Sequence, residues 1–408
     1  MIYLELHQAL KKAFEQAGPV IALPELGVSI SHHEFTSEQA ASMLPGSNRM
    51  TCTAHNVTFE EQEQATDRKE CVLDIPDYEI ESNRNFKYHI IKPLSVQTAD
   101  GAIIFFHGLN EKKWDKYLPW AYEIARRTGK AVLLFPIAFH IDRAPEYWSN
   151  KKDMAAIAQS RAELAGNSAC SYLNAAISVR MEALPQRLFW SGLQTYSDIV
   201  QLAEMIQEGA LPEISPKATL DLFGYSIGSF LSSILMMANP KGIFDQARLF
   251  CFCGGMTIDR MFPISRYIMD AQSAIAMQRR FAELLSSGFA MDEHMAHYQD
   301  CALHKGESWF KTMLRFNYFQ KEREERLEVL KDRIKCYVLR DDEVAPPVEA
   351  LNTLQGGYRN IPIAVQIDHY EHPYSHINPF PLTSKNAVQI DAAFRAFTRS
   401  AAAFLGKV

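Results

Sequence analysis

The sequence lacks an excess of positive charge. Its 42 Lys and Arg residues stand against 48 Asp and Glu residues, so the formal net charge is −6 and the pI is about 6.1. A protein that binds nucleic acid usually carries a clustered basic surface and a high pI. We therefore expect no nucleic-acid partner.

Cysteine is also scarce, with seven residues scattered over a chain of 408. A disulfide framework is typical of short secreted chains with an even cysteine count. Cys251 and Cys253 alternate along a predicted strand, but the sequence offers too few further ligands beside them for zinc. We predict no disulfide scaffold, no metal site and no cofactor.

The sequence has little that suggests a membrane or a secretory route. It does not open on a basic region followed by an apolar core, so no signal peptide is expected. Residues 222–240 carry no charge, but they include two glycines and four serines and read as a strand followed by a helix. We predict a cytoplasmic protein with no integral membrane segment.

From residue 86 onward, short apolar runs alternate with helical patterns. This order indicates an α/β fold in which a mostly parallel sheet is covered by helices on both faces. Residues 1–85 show less pattern and are predicted to be an N-terminal extension that packs on the core. Strands are predicted at residues 86–92, 101–106, 131–135, 218–223, 247–252, 335–339 and 361–367.

Two long insertions interrupt this order, at about residues 136–187 and 256–332. Both follow predicted strands, and the second is long and helical enough to form a lid. Three lid histidines, His294, His297 and His304, are loosely spaced, and we expect them at the surface. The lid is rich in large apolar residues that could line a substrate pocket or form the core of the lid: Met256, Met261, Phe262, Tyr267, Met269, Phe281, Phe289, Trp309, Met313 and Phe316.

The motif G-Y-S-I-G at residues 224–228 joins a predicted strand to a predicted helix. In that setting, G-x-S-x-G is typical of a nucleophile elbow. Gly224 and Gly228 provide the lack of bulk that so tight a turn requires. The N-terminus of the following helix favours negative charge beside Ser226. Ser226 is therefore the candidate nucleophile.

Other polar motifs also follow predicted strands. They are H-G-L at residues 107–109, D-D-E-V-A-P at residues 341–346, and a late loop with His369, His372 and His376. Active sites of parallel sheets lie at the carboxyl ends of the strands. The late histidines would permit a metal site if they lay on one helix, but Pro373 argues against a continuous helix.

Along the chain, the four motifs come in the order H-G-L, G-Y-S-I-G, D-D-E-V-A-P and the histidine loop. In this order they resemble the α/β-hydrolase superfamily over residues 86–408. The resemblance implies a triad in the order Ser, acid, His. Asp342 is favoured as the acid because the family often places an aspartate four residues before a proline, here Pro346; Asp341 is the alternative. His376 is favoured as the base because it lies between turn-forming segments, with His372 and then His369 as alternatives.

The resemblance also implies an oxyanion hole formed by the backbone N–H groups of Leu109 and Ile227. His107 is expected to orient its loop. Tyr225, Asn110 and Arg143 are candidates for substrate binding. For Arg143, an ion pair with Asp142 is the alternative.

The implied activity is that of a serine hydrolase that cleaves an acyl bond, with a carboxylic ester of a small molecule as the preferred substrate. An acyltransferase or thioesterase on the same fold is an alternative, as is a non-catalytic binding protein, which would lack a member of the triad. A homo-oligomer is compatible with the sequence.

Overall fold

The computed structural model describes residues 1–45, 50–59, 73, 75–164 and 166–406. Its strands are β1 (Val20–Leu23), β2 (Val28–Thr36), β3 (Met50–Cys52), β4 (Val57–Phe59), β5 (Asn85–Pro93), β6 (Ala99–Phe106), β7 (Ala131–Leu134), β8 (Ile214–Tyr225), β9 (Leu249–Phe252), β10 (Ile334–Leu339) and β11 (Ala364–Asp368).

Helices connect most of these strands. They are α1 (Tyr3–Phe14), α2 (Ala40–Met43), α3 (Glu81–Arg84), α4 (Leu118–Thr128), α5 (Lys151–Ala162), α6 (Ala175–Ala183), α7 (Arg187–Gln207), α8 (Ile227–Ala238), α9 (Ala271–Ser286), α10 (Glu293–Gln299), α11 (Phe310–Leu314), α12 (Gln320–Leu330), α13 (Pro347–Leu354) and α14 (Ala387–Leu405).

Nine strands form one sheet in the order β1-β2-β5-β7-β6-β8-β9-β10-β11. The six strands β7, β6, β8, β9, β10 and β11 run parallel to one another. Strand β5 runs antiparallel to both β2 and β7. The predicted mostly parallel sheet is therefore confirmed. Strands β6 and β8 are direct neighbours, with Phe106 opposite Gly224, so the loops that follow them lie side by side.

The two faces of the sheet bury separate apolar cores. Successive side chains of β6 illustrate the division, because Ile104 and Phe106 join one core while Ile103 and Phe105 join the other. Helices α7 and α8 contribute to the first core, and α1, α4 and α14 contribute to the second. Such two-sided burial explains why these strands read as continuous apolar runs.

The N-terminal region is more closely part of the sheet than the sequence indicated. Strands β1 and β2 pair antiparallel, and β2 pairs along its whole length with β5. The description of residues 1–85 as an extension that only packs on the core is corrected accordingly. The polar run His32-His33-Glu34 in β2 hides the strand signal, because this strand lies near the sheet edge and is only partly buried.

The two insertions are helical and pack on each other, with α6 of the first in contact with α9 of the second. We call residues 256–332 the lid. Met256, Met269 and Phe281 are buried in the apolar core, whereas Phe262 and Tyr267 are about half exposed. Most of the apolar lid residues therefore serve packing, which is one of the two alternatives that the sequence left open. Among the described residues, no helix combines the length and apolarity needed to cross a bilayer.

Candidate active site

Ser226 lies at the sharp turn between β8 and α8. Its backbone has φ 56° and ψ −118°, a conformation that a non-glycine residue rarely adopts and that stores about 1–3 kcal/mol of strain. The Ser226 N–H donates to the carbonyl oxygen of Phe252 at 3.0 Å, which ties the turn to the neighbouring strand β9. The turn therefore presents the hydroxyl beyond the end of the sheet, as a nucleophile elbow does.

Three glycines make this turn sterically possible. A Cβ on Gly224 would lie 2.5 Å from the carbonyl oxygen of Gly228, and one on Gly228 would lie 2.7 Å from the carbonyl oxygen of Phe106. A Cβ on Gly254 would lie 2.7 Å from the carbonyl oxygen of Ser226. The first two were expected from the motif. Gly254 was missed, and its only sequence signal is a Gly-Gly pair directly after a predicted strand.

Ser226, His376 and Asp342 form one hydrogen-bonded chain. The Ser226 Oγ lies 2.7 Å from His376 Nε2, and His376 Nδ1 lies 2.8 Å from Asp342 Oδ2. All three residues are buried, with exposed fractions of 3%, 6% and 4% for Ser226, His376 and Asp342. Since the carboxylate can only accept, His376 Nδ1–H donates to it and Nε2 is left to accept from the serine hydroxyl.

The backbone of the acid loop orients the Asp342 carboxylate. Its Oδ1 accepts from the Val344 N–H at 3.0 Å and from the Ala345 N–H at 2.9 Å. The sequence could suggest the loop, but only the fold shows which carboxylate turns inward. Asp341 turns outward instead, and its carboxylate pairs with His369 at 3.0 Å on the exposed surface.

The alternative histidines have other partners. His372 is buried, and its Nε2 donates to the carbonyl oxygen of Pro379 at 2.9 Å. Its ring also stacks on Tyr370. His369 belongs to the surface pair with Asp341. Neither ring makes a hydrogen bond to Ser226, so the structure brings only His376 to the nucleophile.

The triad residues follow β8, β10 and β11, in the chain order Ser, Asp, His. Strands β8, β9, β10 and β11 are neighbours in the mostly parallel sheet, so the loops meet at one edge. Together with the elbow, this architecture is the α/β-hydrolase fold that the sequence resemblance predicted.

Two backbone N–H groups lie in the segments that follow the neighbouring strands β6 and β8. Among the described residues, neither the Leu109 N–H nor the Ile227 N–H makes a hydrogen bond. Ile227 is the first residue of α8, where helix geometry leaves such donors unpaired. The Gly108 N–H is used differently, because it donates to the Tyr117 hydroxyl at 3.0 Å. Tyr117 is thus a further support of this loop that the sequence did not indicate.

His107 connects this loop to the one that follows β7. Its Nε2 accepts from the Ile137 N–H at 3.0 Å, and its Nδ1–H donates to the carbonyl oxygen of Gly108 at 2.8 Å. Burial, with His140 nearby as a smaller cause, lowers the pKa of His107 well below its usual value. A neutral ring with both nitrogens engaged holds the loop, as the sequence analysis expected.

Tyr225 supports His376. Its buried hydroxyl donates to the backbone carbonyl of His376, and its ring stacks on the His376 ring with centroids 5.4 Å apart. This tyrosine was a candidate for substrate binding. Its hydroxyl donates to the His376 carbonyl, so its described contacts orient the His376 ring.

Asn110 and Arg143, the other substrate-binding candidates, also have internal partners. The Asn110 side-chain amide donates to the carbonyl oxygens of Leu173 and Tyr267, at 3.0 and 2.7 Å. It thus links the loop after β6 to both insertions. Arg143 is fully buried and pairs with Asp198 at 2.8 Å. The alternative pairing with Asp142 is wrong, because Asp142 contacts His89.

A small cavity of about 50 Å³ lies beside Leu109 and Asn110. It is lined by residues of the first insertion, including Phe139, Trp148 and Met181, and not by the lid. His140 also lines it, and burial lowers the pKa of His140 to about 4, so its ring is neutral at pH 7. A larger cavity of about 860 Å³ contains none of the triad residues in its lining.

The expectation of surface histidines in the lid is wrong for two of the three. His294 and His304 are buried, and His297 is half-buried. His294 stacks on Trp190 with ring centroids 4.1 Å apart. The aromatic partner comes from α7, which is distant in sequence, so the spacing of the histidines alone could not reveal their burial.

Comparisons with known proteins give one family match, over residues 1–406, to a family of unknown function (DUF6051). No curated protein matches the chain. Three solved structures are similar at low identity. Carboxyl esterase 2 from Tuber melanosporum is 14% identical, with a TM-score of 0.44, over 79% of this chain and 82% of that one.

The second is a thermostable esterase from Pseudomonas putida, which is 13% identical, with a TM-score of 0.42, over 98% of this chain and 89% of that one. The third is prolyl oligopeptidase B from Galerina marginata, which is 12% identical, with a TM-score of 0.40, over 94% of this chain and 38% of that one. At these identities and TM-scores, the likenesses assign no activity to this chain.

Proposed function

The chain belongs to the family of unknown function DUF6051, and from its site we propose that it is a serine hydrolase that cleaves carboxylic esters of small molecules. One observation carries the proposal: the hydroxyl of a strained elbow serine, an imidazole and a buried carboxylate lie in hydrogen-bonding sequence at 2.7 and 2.8 Å. Because an unassisted serine hydroxyl is a weak nucleophile, it needs such a base, held by a third group.

The first half of the reaction forms an acyl-enzyme. Ser226 Oγ attacks the ester carbonyl carbon while its proton passes to His376 Nε2. The carbonyl oxygen becomes an oxyanion, which the N–H groups of Ile227 and Leu109 stabilise. The Asp342 carboxylate stabilises the imidazolium. When the tetrahedral intermediate collapses, His376 gives the proton to the leaving alkoxide, and the alcohol departs.

The second half releases the acid. A water molecule passes a proton to His376 Nε2 as its oxygen attacks the acyl carbon, and the same N–H groups stabilise the second oxyanion. Collapse breaks the bond to Ser226 Oγ, which takes the proton back from His376. The net reaction consumes one ester and one water and yields one acid and one alcohol, so no cofactor is needed for this chemistry.

The surroundings of the site support a small, partly apolar substrate. The cavity beside Leu109 is small and is lined by aromatic and aliphatic side chains together with Lys112, Arg180 and Arg187. The lid segment with half-exposed Phe262 and Tyr267 is tied to the acid loop by a hydrogen bond from the Phe262 N–H to the carbonyl oxygen of Val344 at 2.8 Å. This segment offers apolar surface to the part of the substrate outside the cavity.

The direct test is hydrolysis of p-nitrophenyl acetate and butyrate together with labelling by a fluorophosphonate probe. We expect stoichiometric labelling and turnover that the probe abolishes. Adding a competing alcohol or thiol and analysing the products separates hydrolysis from acyl transfer. A folded chain that neither reacts with the probe nor hydrolyses any ester of the series contradicts the proposal.

Replacing the acid should have a large and specific effect. We expect Asp342→Asn to lower kcat by about 10⁴-fold, because an asparagine amide favours the wrong imidazole tautomer and cannot stabilise the imidazolium. The measurement is kcat for p-nitrophenyl ester hydrolysis.

The matched control for Asp342→Asn is Asp341→Asn, the same change one residue away on an exposed side chain. The control should retain kcat within about twofold, as surface substitutions usually do. Equal losses in the two variants, or a larger loss in Asp341→Asn, would overturn the assignment of Asp342 as the acid.

A further inference from the structure

Four potential metal ligands from two distant parts of the chain converge away from the triad. They are Cys52, His55, His297 and His304, and their ligand atoms all lie within 4.8 Å of one another. We call this group the Cys/His cluster. Cys52 ends β3 and His55 lies in the turn before β4, whereas His297 lies on α10 and His304 follows it in the lid. More than 200 residues of chain separate the two halves, so the fold alone creates the cluster.

Two of the distances in the cluster are close to those between the ligands of a tetrahedral zinc ion. Cys52 Sγ lies 3.4 Å from His55 Nδ1 and 3.4 Å from His304 Nε2. With Zn–S near 2.3 Å and Zn–N near 2.0–2.1 Å, a sulfur and a nitrogen bound tetrahedrally lie about 3.5–3.6 Å apart and two nitrogens about 3.3–3.4 Å apart.

One histidine of the cluster, His304, has a carboxylate beside the ring nitrogen that faces away from the other ligands, as metal-bound histidines often do. His304 Nδ1 lies 3.4 Å from the Glu307 carboxylate, which leaves Nε2 for the cluster. A carboxylate behind a histidine fixes the ring and raises its basicity as a ligand. In addition, the His297 Nε2 is buried and has no hydrogen-bond partner among the described residues. An unpaired buried imidazole nitrogen is a group that a bound ion would satisfy.

The ligand atoms of the cluster, one sulfur and three imidazole nitrogens, determine which metal it favours. Thiolate favours Zn²⁺ and Cu⁺ and excludes Mg²⁺ and Ca²⁺, and imidazole suits zinc well. Four protein ligands fill a tetrahedral sphere and leave no position for a reacting water, so the site is of the structural kind. The cavity of about 860 Å³ is lined by Cys52 and His304 and supplies a route by which the ion reaches the cluster.

We propose that Cys52, His55, His297 and His304 bind one structural Zn²⁺ ion that fastens the β3–β4 hairpin to the lid. Binding deprotonates the Cys52 thiol, whose proton goes to solvent, and the three imidazoles bind in their neutral form. The ion joins the hairpin to α10 and the segment after it. This role is independent of the esterase proposal, because the cluster shares no residue with the triad.

The test measures metal in the purified full-length chain by inductively coupled plasma mass spectrometry. We expect about one zinc ion per chain, as a four-ligand site requires. Cys52→Ser and His297→Ala should lower zinc affinity by about tenfold or more. Cys301→Ser is the matched control, because Cys301 lies between His297 and His304 but is exposed and outside the cluster. It should keep its zinc.

A second measurement avoids dependence on the folding of the variants. The wild-type chain, stripped of metal with a chelator and shown to be folded by circular dichroism, is titrated with Co²⁺. We expect the visible bands of tetrahedral cobalt and a thiolate-to-cobalt charge-transfer band, both removed by adding Zn²⁺. A folded wild-type chain that carries no zinc and gives neither band, or a Cys301→Ser variant that loses metal as Cys52→Ser does, overturns the proposal.

Discussion

Ser226→Ala is expected to abolish fluorophosphonate labelling and to lower ester hydrolysis by about 10⁶-fold. Removing the nucleophile of a serine hydrolase leaves only binding and the oxyanion hole to accelerate the reaction. The structure supports so large an effect, because Ser226 Oγ is the hydroxyl bonded to His376 Nε2. The measurements are labelling stoichiometry by mass spectrometry and kcat with p-nitrophenyl acetate.

Ser232→Ala is the matched control for this prediction. Ser232 lies on α8 two turns after the elbow, is fully buried, and its hydroxyl has no hydrogen-bond partner among the described residues. Its removal should leave labelling and kcat within about twofold of wild type. Unchanged labelling in Ser226→Ala would show that another residue is the nucleophile and would refute the proposed function, without bearing on the zinc site.

His376→Ala is expected to reduce kcat by about 10⁵–10⁶-fold. Loss of the base alone is about as damaging as loss of the nucleophile, because the two act as a unit. The double variant Ser226→Ala with His376→Ala should therefore be no slower than either single variant. Fully additive losses would mean that the two residues act independently, against the geometry of the hydrogen-bonded chain.

The other two late histidines are the controls for His376→Ala. His369→Ala removes an exposed ring paired with Asp341, and kcat should stay within about twofold of wild type. His372→Ala removes a buried ring that donates to Pro379. It should lower the melting temperature while folded enzyme keeps its kcat. Loss of activity in folded His372→Ala, with full activity in His376→Ala, would show that His372 and not His376 is the base.

Much of the fold could be predicted because its central strands are buried on both faces. In an α/β pattern, a continuous apolar run such as residues 101–106 indicates a strand that is buried on both faces. The prediction missed β1 and β2, because β1 has only four residues and β2, the second strand from the sheet edge, carries polar residues such as His32 and His33. For the lid, the sequence left a substrate pocket and the core of the lid as alternatives, and most of its apolar residues are buried as packing. The cavity beside Leu109 is lined by the first insertion.

The candidate site, too, could be predicted from the sequence only in part. The elbow was predictable, because Gly224, Ser226 and Gly228 are neighbours in sequence and their spacing expresses a local steric need. The choice among three histidines and two aspartates was not settled by spacing. It depends on which side chain the loops after β10 and β11 turn inward, and the backbone bonds of Val344 and Ala345 to Asp342 decide that.

By itself, the sequence determined the α/β class, the elbow at Ser226 and the candidates for its partners, because these follow from local periodicity, glycine sterics and residue chemistry. Only the tertiary structure decided that Asp342 and His376 are the pair that reaches Ser226. Only the tertiary structure, likewise, brought Cys52 and His55 to His297 and His304. Both arrangements join segments far apart in the chain, and such proximity arises from packing, which no local pattern records.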